Sequence, residues 1–79
     1  MKVTLYTTPT CVYCRLAKQF FQDHNVEYTE YDVTRNEAAR DDLIEKSGQL
    51  GVPVIDIDGN IVIGFNKEKL VQLLNISSH

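Results

Sequence analysis

The 79-residue chain predicts an α/β protein in which three helices cover a four-stranded mixed sheet. Apolar residues recur with helical period in three segments, and branched residues with strand-like patterns fill four others, in the order β-α-β-α-β-β-α. The opening strand–helix–strand unit implies a parallel pair with a right-handed crossover. An Asp58-Gly59-Asn60 turn makes the last two strands antiparallel. With no linker, repeat or low-complexity segment, residues 1–79 are expected to form one domain.

The first half of the chain alternates clearly between strand and helix signals. Residues 2–7 predict a strand, which Pro9 ends because proline has no N–H to donate. Thr10 is the expected N-cap of a helix over residues 12–24. A second strand is predicted over residues 26–33, where strand formers alternate with polar residues. The apolar face expected for the helix comprises Val12, Leu16 and Phe20, with Ala17 and Phe21 beside them.

In the second half of the chain, the clearest signals are residues that favour the ends of helices. Thr34 and Glu37 have the spacing of a capping box, and Gly48 suits the C-terminal end of the helix that follows. Asn66 is the expected cap of the last helix, and Ser77–His79 are expected to be a frayed tail. The predicted elements are a helix over residues 35–46, strands over residues 53–57 and 60–63, and a helix over residues 67–75 with Leu70, Leu73 and Leu74 on its core side.

Composition excludes several functions. A net charge of −3 without a basic patch argues against nucleic acid as a partner. No apolar run approaches the roughly 20 residues that span a membrane, so no membrane partner is expected. The N-terminus reads directly as a strand and has no signal-peptide pattern, which predicts a cytoplasmic location. In a reducing compartment, two cysteines indicate redox or metal chemistry more than a structural disulfide.

The two cysteines, Cys11 and Cys14, lie at the predicted strand-to-helix junction. The unpaired N–H groups and dipole of a helix start stabilise a thiolate there, which predicts Cys11 as nucleophile and Cys14 as resolving thiol. Metal binding would need two more ligands, and His24 and His79 lack a suitable spacing. Two inert thiols are the third possibility, so three interpretations stay open at this point.

Four other residues could take part in chemistry. Tyr13, between the cysteines, could line a substrate groove or simply pack. Lys18, one turn beyond Cys14, could stabilise a thiolate from a distance, although such lysines are more often solvated. Val52-Pro53 precedes a strand, and a cis bond there would turn the Val52 backbone outward. General frequencies of proline isomers favour the trans bond.

Cys11-Val12-Tyr13-Cys14 after a strand, Val52-Pro53 before a hairpin and Gly64 at its end together resemble the glutaredoxin family. The resemblance covers essentially the whole chain. It implies a thioredoxin fold, a cis Val52–Pro53 bond, and glutathione-coupled exchange with disulfide-containing proteins, with no tightly bound cofactor and no metal. It also implies that Cys11 attacks, that Tyr13 borders the glutathione groove, and that Val52 binds glutathione through its main chain. The further candidates for this groove are Gln49, Pro53, Gly64, Asn66 and Lys67.

The chain departs from the glutathione-using pattern at three places. Val12 stands where proline is usual, Thr8 where lysine is frequent, and Gly64-Phe65 where Gly-Gly is common. Two of these departures resemble redoxins that supply ribonucleotide reductase, many of which are reduced by thioredoxin reductase. The chain keeps Tyr13 but has no tryptophan, so glutathione is the preferred donor and thioredoxin reductase the alternative. A metal- or cluster-binding module is a third hypothesis, which Val12 and Cys14 disfavour.

Overall fold

The structure, a computed structural model, describes residues 2–76. The predicted order of elements is confirmed, and the predicted tail Ser77–His79 lies outside the described residues. The strands are β1 (Val3–Thr7), β2 (Thr29–Asp32), β3 (Val54–Ile57) and β4 (Asn60–Ile63). The helices are α1 (Val12–Asp23), α2 (Glu37–Ser47) and α3 (Lys67–Leu74).

The four strands form one mixed sheet in the order β2-β1-β3-β4. β1 is parallel to β2, and β3 is antiparallel to β4, as predicted. The structure adds that β1 is antiparallel to β3. Tyr6 near the end of β1 lies opposite Val54 at the start of β3, and Val54 lies opposite Ile63 at the end of β4. The connections after β1, before β3 and after β4 therefore meet at one end of the sheet, which we call the site end.

The sheet separates two apolar clusters. β1 is buried on both faces because it is central and has helices on either side. One cluster joins Val3 and Leu5 to α1 and α3, and the other joins Tyr6 to α2. Together they fix β1, and with it the loop that leads into α1.

The start of α2 differs from the predicted capping box. Asn36 is the N-cap, and its side chain accepts a hydrogen bond from the Ala39 N–H at 3.0 Å. Thr34 instead donates both its backbone N–H and its hydroxyl to Asp32 Oδ1, at 2.9 and 2.5 Å. The capping-box prediction was wrong because this local turn occupies Thr34, so that the helix begins at Glu37.

The apolar face of α1 is shifted from the predicted stripe. Cys14, Ala17 and Phe21, at the helical spacing i, i+3 and i+7, are buried together with Phe20. Val12 and Leu16, expected on the apolar face, are exposed. The face through Cys14 lies against the sheet, where the small side chain of Ala17 permits close packing.

The two predicted helix-end residues are confirmed. Gly48 adopts the left-handed conformation after α2, with φ of 73°. The Asn66 side chain caps α3 by accepting the Lys69 N–H at 3.1 Å. None of the helices found between residues 2 and 76 combines the length and apolar character needed to cross a membrane.

Candidate active site

A disulfide between Cys11 and Cys14 closes the first turn of α1, with Cα atoms 5.2 Å apart. Cys11 itself is the N-cap, because it has extended backbone angles and its Sγ accepts the Cys14 N–H at 3.1 Å. The prediction of Thr10 as N-cap was therefore wrong by one residue. The Cys11 N–H in turn donates to the Thr8 carbonyl at 3.4 Å, which folds the loop after β1 back toward the helix start.

The two sulfur-bearing residues differ in exposure. Cys14 is only 1% exposed, whereas Cys11 is partly exposed. An incoming thiolate or disulfide therefore meets Cys11, and Cys14 reacts by way of Cys11. The first turn of α1 contains no acidic residue to oppose the positive end of the helix dipole, so the local field favours a thiolate at Cys11.

Lys18 lies one turn beyond Cys14, and its ammonium is paired. Lys18 Nζ lies 3.0 Å from Glu30 Oε2, and the buried Thr7 hydroxyl donates to the same oxygen at 3.0 Å. These contacts tie α1 to β1 and β2 beneath the cysteines. Neither role weighed for Lys18 from the sequence, thiolate stabiliser or solvated lysine, describes this contact, in which the lysine shares its charge with a carboxylate and links α1 to β2.

The peptide bond between Val52 and Pro53 is cis, as the family resemblance implied. The β3 ladder begins at Val54, so the Val52 backbone lies outside the sheet's hydrogen-bond register. Pro53 is buried, and its carbonyl accepts the Gly64 N–H at 2.8 Å. This bond joins the proline loop to the end of β4, so that Val52, Pro53 and Gly64 lie together at the site end.

The loop before Val52 is held by its own side chains. Gln49 Oε1 accepts the Gly51 N–H at 2.5 Å, and Gln49 Nε2 donates to the Gly51 carbonyl at 3.1 Å. The Ser47 hydroxyl lies 2.6 Å from the Leu43 carbonyl and 2.9 Å from the Gln49 carbonyl, and its single proton is shared between these two acceptors. Gln49, selected from the sequence as a groove residue, thus has its amide engaged within the loop, and Leu50 is left 61% exposed. No sequence signal indicated Leu50.

The start of α3 supplies the remaining candidates. The Asn66 side chain is occupied by its cap, while the Lys67 side chain lines a cleft of about 410 Å³ that Leu16 also lines. Phe65 is half-buried and packs edge-on against Phe20, with ring centroids 6.0 Å apart. The first turn of α3 thus lies beside α1, on the side away from β2.

Exposed apolar side chains stand next to the disulfide. Tyr13 is 62% exposed and Val12 57%. Tyr13 is therefore not packed in the core, and its place in a substrate groove stays a prediction. Leu50 lies in the loop that enters β3 at the same end of the sheet. Of these three side chains, only Tyr13 was weighed from the sequence as a substrate contact.

These features define a class of protein. A four-stranded mixed sheet with this strand order carries three helices, a Cys-x-x-Cys disulfide at the start of α1 and a cis-proline loop beside it. The chain has the thioredoxin fold, which confirms the fold expected from the sequence.

Comparison with known proteins identifies the family. A sequence model of the glutaredoxin family matches residues 3–62, and the chain belongs to that family. It is 38% identical over 72 residues to an uncharacterised glutaredoxin-like 8.6 kDa protein in the rubredoxin operon of Clostridium pasteurianum, covering 91% of this chain and 96% of that one. It is 37% identical over 62 residues to glutaredoxin 3 of Escherichia coli K12, covering 78% and 75%.

A solved structure supports the same assignment. The crystal structure of a mutant of the thioredoxin-like protein BC3987 superimposes with a TM-score of 0.91 at 42% identity, covering 96% of this chain and 97% of that one. Family membership indicates thiol–disulfide oxidoreductase activity in general.

Proposed function

We propose that this chain is a cytoplasmic, glutathione-dependent thiol–disulfide oxidoreductase that reduces protein disulfides or glutathione mixed disulfides. One observation carries the proposal: a partly exposed Cys11 sulfur caps α1, with Cys14 buried directly behind it. The protein works as a dithiol without a tightly bound cofactor, and glutathione is a co-substrate.

The reducing half-reaction uses both cysteines in turn. The Cys11 thiolate attacks one sulfur of the substrate disulfide, whose S–S bond breaks and releases one thiolate. Cys14, after losing its proton, attacks the Cys11 sulfur of the mixed disulfide and expels the second substrate thiolate. Two electrons pass to the substrate, whose two thiolates take up the two protons that the cysteines release. In the oxidised structure the Cys11 sulfur lies at the start of α1 and accepts the Cys14 N–H.

Glutathione returns the electrons in two steps. A first glutathione thiolate attacks Cys11 of the protein disulfide and frees Cys14, and a second releases glutathione disulfide and restores Cys11. Three features support this donor. Tyr13 is exposed beside Cys11, the Val52 backbone lies outside the sheet, and Lys67 begins α3 with unpaired N–H groups that favour a carboxylate.

The alternative donor is thioredoxin reductase, with ribonucleotide reductase or another protein as electron acceptor. Two observations favour it. Thr8, in the loop after β1, offers no cation for a glutathione carboxylate. Glu68 places a carboxylate in the first turn of α3, where its negative charge repels a glutathione carboxylate. Under this alternative the same dithiol chemistry operates, but the surface recognises proteins only.

The donor is tested by following NADPH oxidation with bis(2-hydroxyethyl) disulfide as substrate. One reaction contains glutathione and glutathione reductase, the other contains thioredoxin reductase, and Cys11→Ser is the blank in each. Turnover with glutathione supports the proposal. Turnover with thioredoxin reductase alone rejects glutathione as donor and leaves the dithiol mechanism standing.

The third hypothesis, a metal- or cluster-binding module, needs its own measurement. The protein purified without oxygen and in the presence of glutathione is expected to be colourless and free of stoichiometric iron and zinc. A visible absorption band with bound iron would reject the dithiol carrier as the main function.

A further inference from the structure

Leu50 is an exposed apolar side chain in a loop that is otherwise firmly held. It is 61% exposed and lies between Gln49 and Gly51, two residues before Val52. Single exposed leucines are ordinary. Leu50 differs because its two neighbours bond to each other around it, so that the side chain is presented by a fixed turn.

The Gln49 side chain acts as a clamp on this turn. Its amide bonds to both the N–H and the carbonyl of Gly51, at 2.5 and 3.1 Å. A Cβ on Gly51 would lie 2.5 Å from Gln49 Oε1, so the clamp requires glycine at this position. The Gln49 carbonyl lies 2.9 Å from the Ser47 hydroxyl at the end of α2, which also contacts the Leu43 carbonyl at 2.6 Å. These bonds hold the backbone on both sides of Leu50 in one turn.

The position of the loop links Leu50 to the reaction. β3 starts beside the end of β1, so the loop into β3 shares the site end with the connection that carries Cys11. Exchange requires a covalent bond between Cys11 and the substrate's cysteine. A polypeptide held by that bond lies at the site end. Val12 and Tyr13, which follow Cys11 in the chain, and Leu50, in the loop into β3, are each more than half exposed.

We propose that Leu50, held outward by the Gln49–Gly51 clamp, selects disulfide-bearing polypeptides whose half-cystine is flanked by apolar side chains. The inference rests on the dithiol mechanism proposed above and is independent of the donor. Leu50 contacts the residues beside the substrate cysteine and is covered in the mixed disulfide. Covering most of one leucine corresponds to a preference of about tenfold over a polar neighbour.

The test uses two symmetric disulfide dimers of equal charge, built from the pentapeptides Lys-Leu-Cys-Leu-Lys and Lys-Ser-Cys-Ser-Lys. Each dimer oxidises the reduced protein directly. Cys11 displaces one peptide thiol, Cys14 displaces the other, and the protein disulfide forms as the peptide disulfide is reduced. Second-order rate constants are measured by acid quench and mass-tagging of free thiols, and are divided by the rate of each peptide with dithiothreitol.

The wild-type protein is expected to prefer the leucine peptide by about tenfold. Leu50→Ser lowers this ratio to about twofold by slowing the leucine peptide. Ile44→Ser, which alters an exposed aliphatic side chain on α2, is the matched control and keeps the wild-type ratio. A wild-type ratio near one, or an unchanged ratio in Leu50→Ser, overturns the inference. Failure of the wild type to react with either peptide instead overturns the dithiol mechanism.

Two further variants separate the clamp from the leucine. Gly51→Ala displaces the Gln49 amide, and Gln49→Ala removes it, while both retain Leu50. Each is expected to lose at least half of the selectivity, and the double variant to match Gln49→Ala. Unchanged selectivity in both single variants would show that the loop needs no clamp to present Leu50. Urea unfolding of each variant verifies that it is folded.

Discussion

Lys46 on α2 lies at the centre of a polar network against the sheet. Its Nζ lies 2.7 Å from Asp56 Oδ2 and 3.2 Å from Asp42 Oδ2, and donates to the Tyr6 hydroxyl at 3.1 Å. The Tyr6 hydroxyl donates in turn to Asp42. The perturbation is Lys46→Met, which retains most of the aliphatic length and removes the charge. Among the hydrogen bonds of residues 2–76, Asp56 then keeps the one from the Gly59 N–H, at 2.7 Å.

The size of the effect follows from these contacts. A hydrogen bond to a partly buried charged group contributes about 1.5–3 kcal/mol, and the more exposed pair with Asp42 adds little. Packing by methionine offsets part of the loss, so we expect the free energy of unfolding to fall by about 2 kcal/mol. For a chain of 79 residues this lowers Tm by about 10 °C.

The loss of stability caused by Lys46→Met is also expected to depend on pH. The Tyr6 hydroxyl bond lowers the pKa of Asp42. Burial opposes ionisation of Asp56, but the bonds from Lys46 and the Gly59 N–H outweigh it and lower the pKa of that carboxyl. The bond to Asp56 raises the pKa of Lys46. The carboxylates therefore contribute stability above their ordinary pKa of about 4, and Lys46 contributes below its ordinary pKa of about 10.4.

The difference between wild type and Lys46→Met should thus be constant between about pH 5 and 10, and shrink as pH falls below about 4. The assay is urea unfolding of the oxidised proteins followed by circular dichroism, since the chain has no tryptophan. Lys69→Met, at an exposed lysine that forms no ion pair within residues 2–76, is the control and should change stability by less than about 0.5 kcal/mol. A Lys46 effect below that size, or one that persists undiminished at pH 2, would refute the reasoning.

The remaining predictions concern the site. Cys11→Ser should abolish disulfide reduction, whereas Cys14→Ser should still resolve glutathione mixed disulfides in the coupled NADPH assay; dithiol activity retained in Cys11→Ser would contradict the assigned roles. In urea unfolding under reductant, Cys11→Ser should be more stable than Cys11→Ala by about 1 kcal/mol, because a hydroxyl caps α1 and a methyl does not. Equal stabilities would mean that the cap is unimportant. Thr8→Lys should lower KM for glutathione about threefold, as one exposed charge pair contributes under 1 kcal/mol. An unchanged KM would place the glutathione carboxylate elsewhere.

The order of elements could be predicted because each segment carries its own periodicity. The first residue of α2 could not be predicted, since Thr34 and Asn36 are both good N-caps by residue type. Asp32 decides between them by bonding to Thr34, and that contact depends on where β2 ends. The buried face of α1 was displaced for a related reason: several apolar residues compete for the core, and the helix's angle to the sheet selects the face through Cys14.

The site residues likewise include some that the sequence could predict and some that it could not. Cys11 and Cys14 were recognisable because their chemistry is fixed by spacing and by the helix start. The cis bond at Pro53 came from the family resemblance, against the general frequency of isomers. The hydrogen-bond partner of the Gln49 amide could not be predicted from the sequence, because an amide in a loop can bond to a ligand or to the loop's own backbone. The structure shows that the loop turns the Gly51 backbone toward the Gln49 amide, which therefore bonds within the loop.

Cys11 is both the N-cap of α1 and the residue whose sulfur is expected to react with substrate. Serine, threonine, aspartate and asparagine are the better caps, and a cysteine here places a reactive sulfur where the backbone supplies an N–H and the dipole favours negative charge. In the oxidised structure the Cys11 sulfur already accepts this N–H, so the reduced sulfur needs no rearrangement to be stabilised. Discrimination among disulfides then falls to the residues around this sulfur, which differ from the glutathione-using pattern at Thr8 and, in the proposal above, include Leu50.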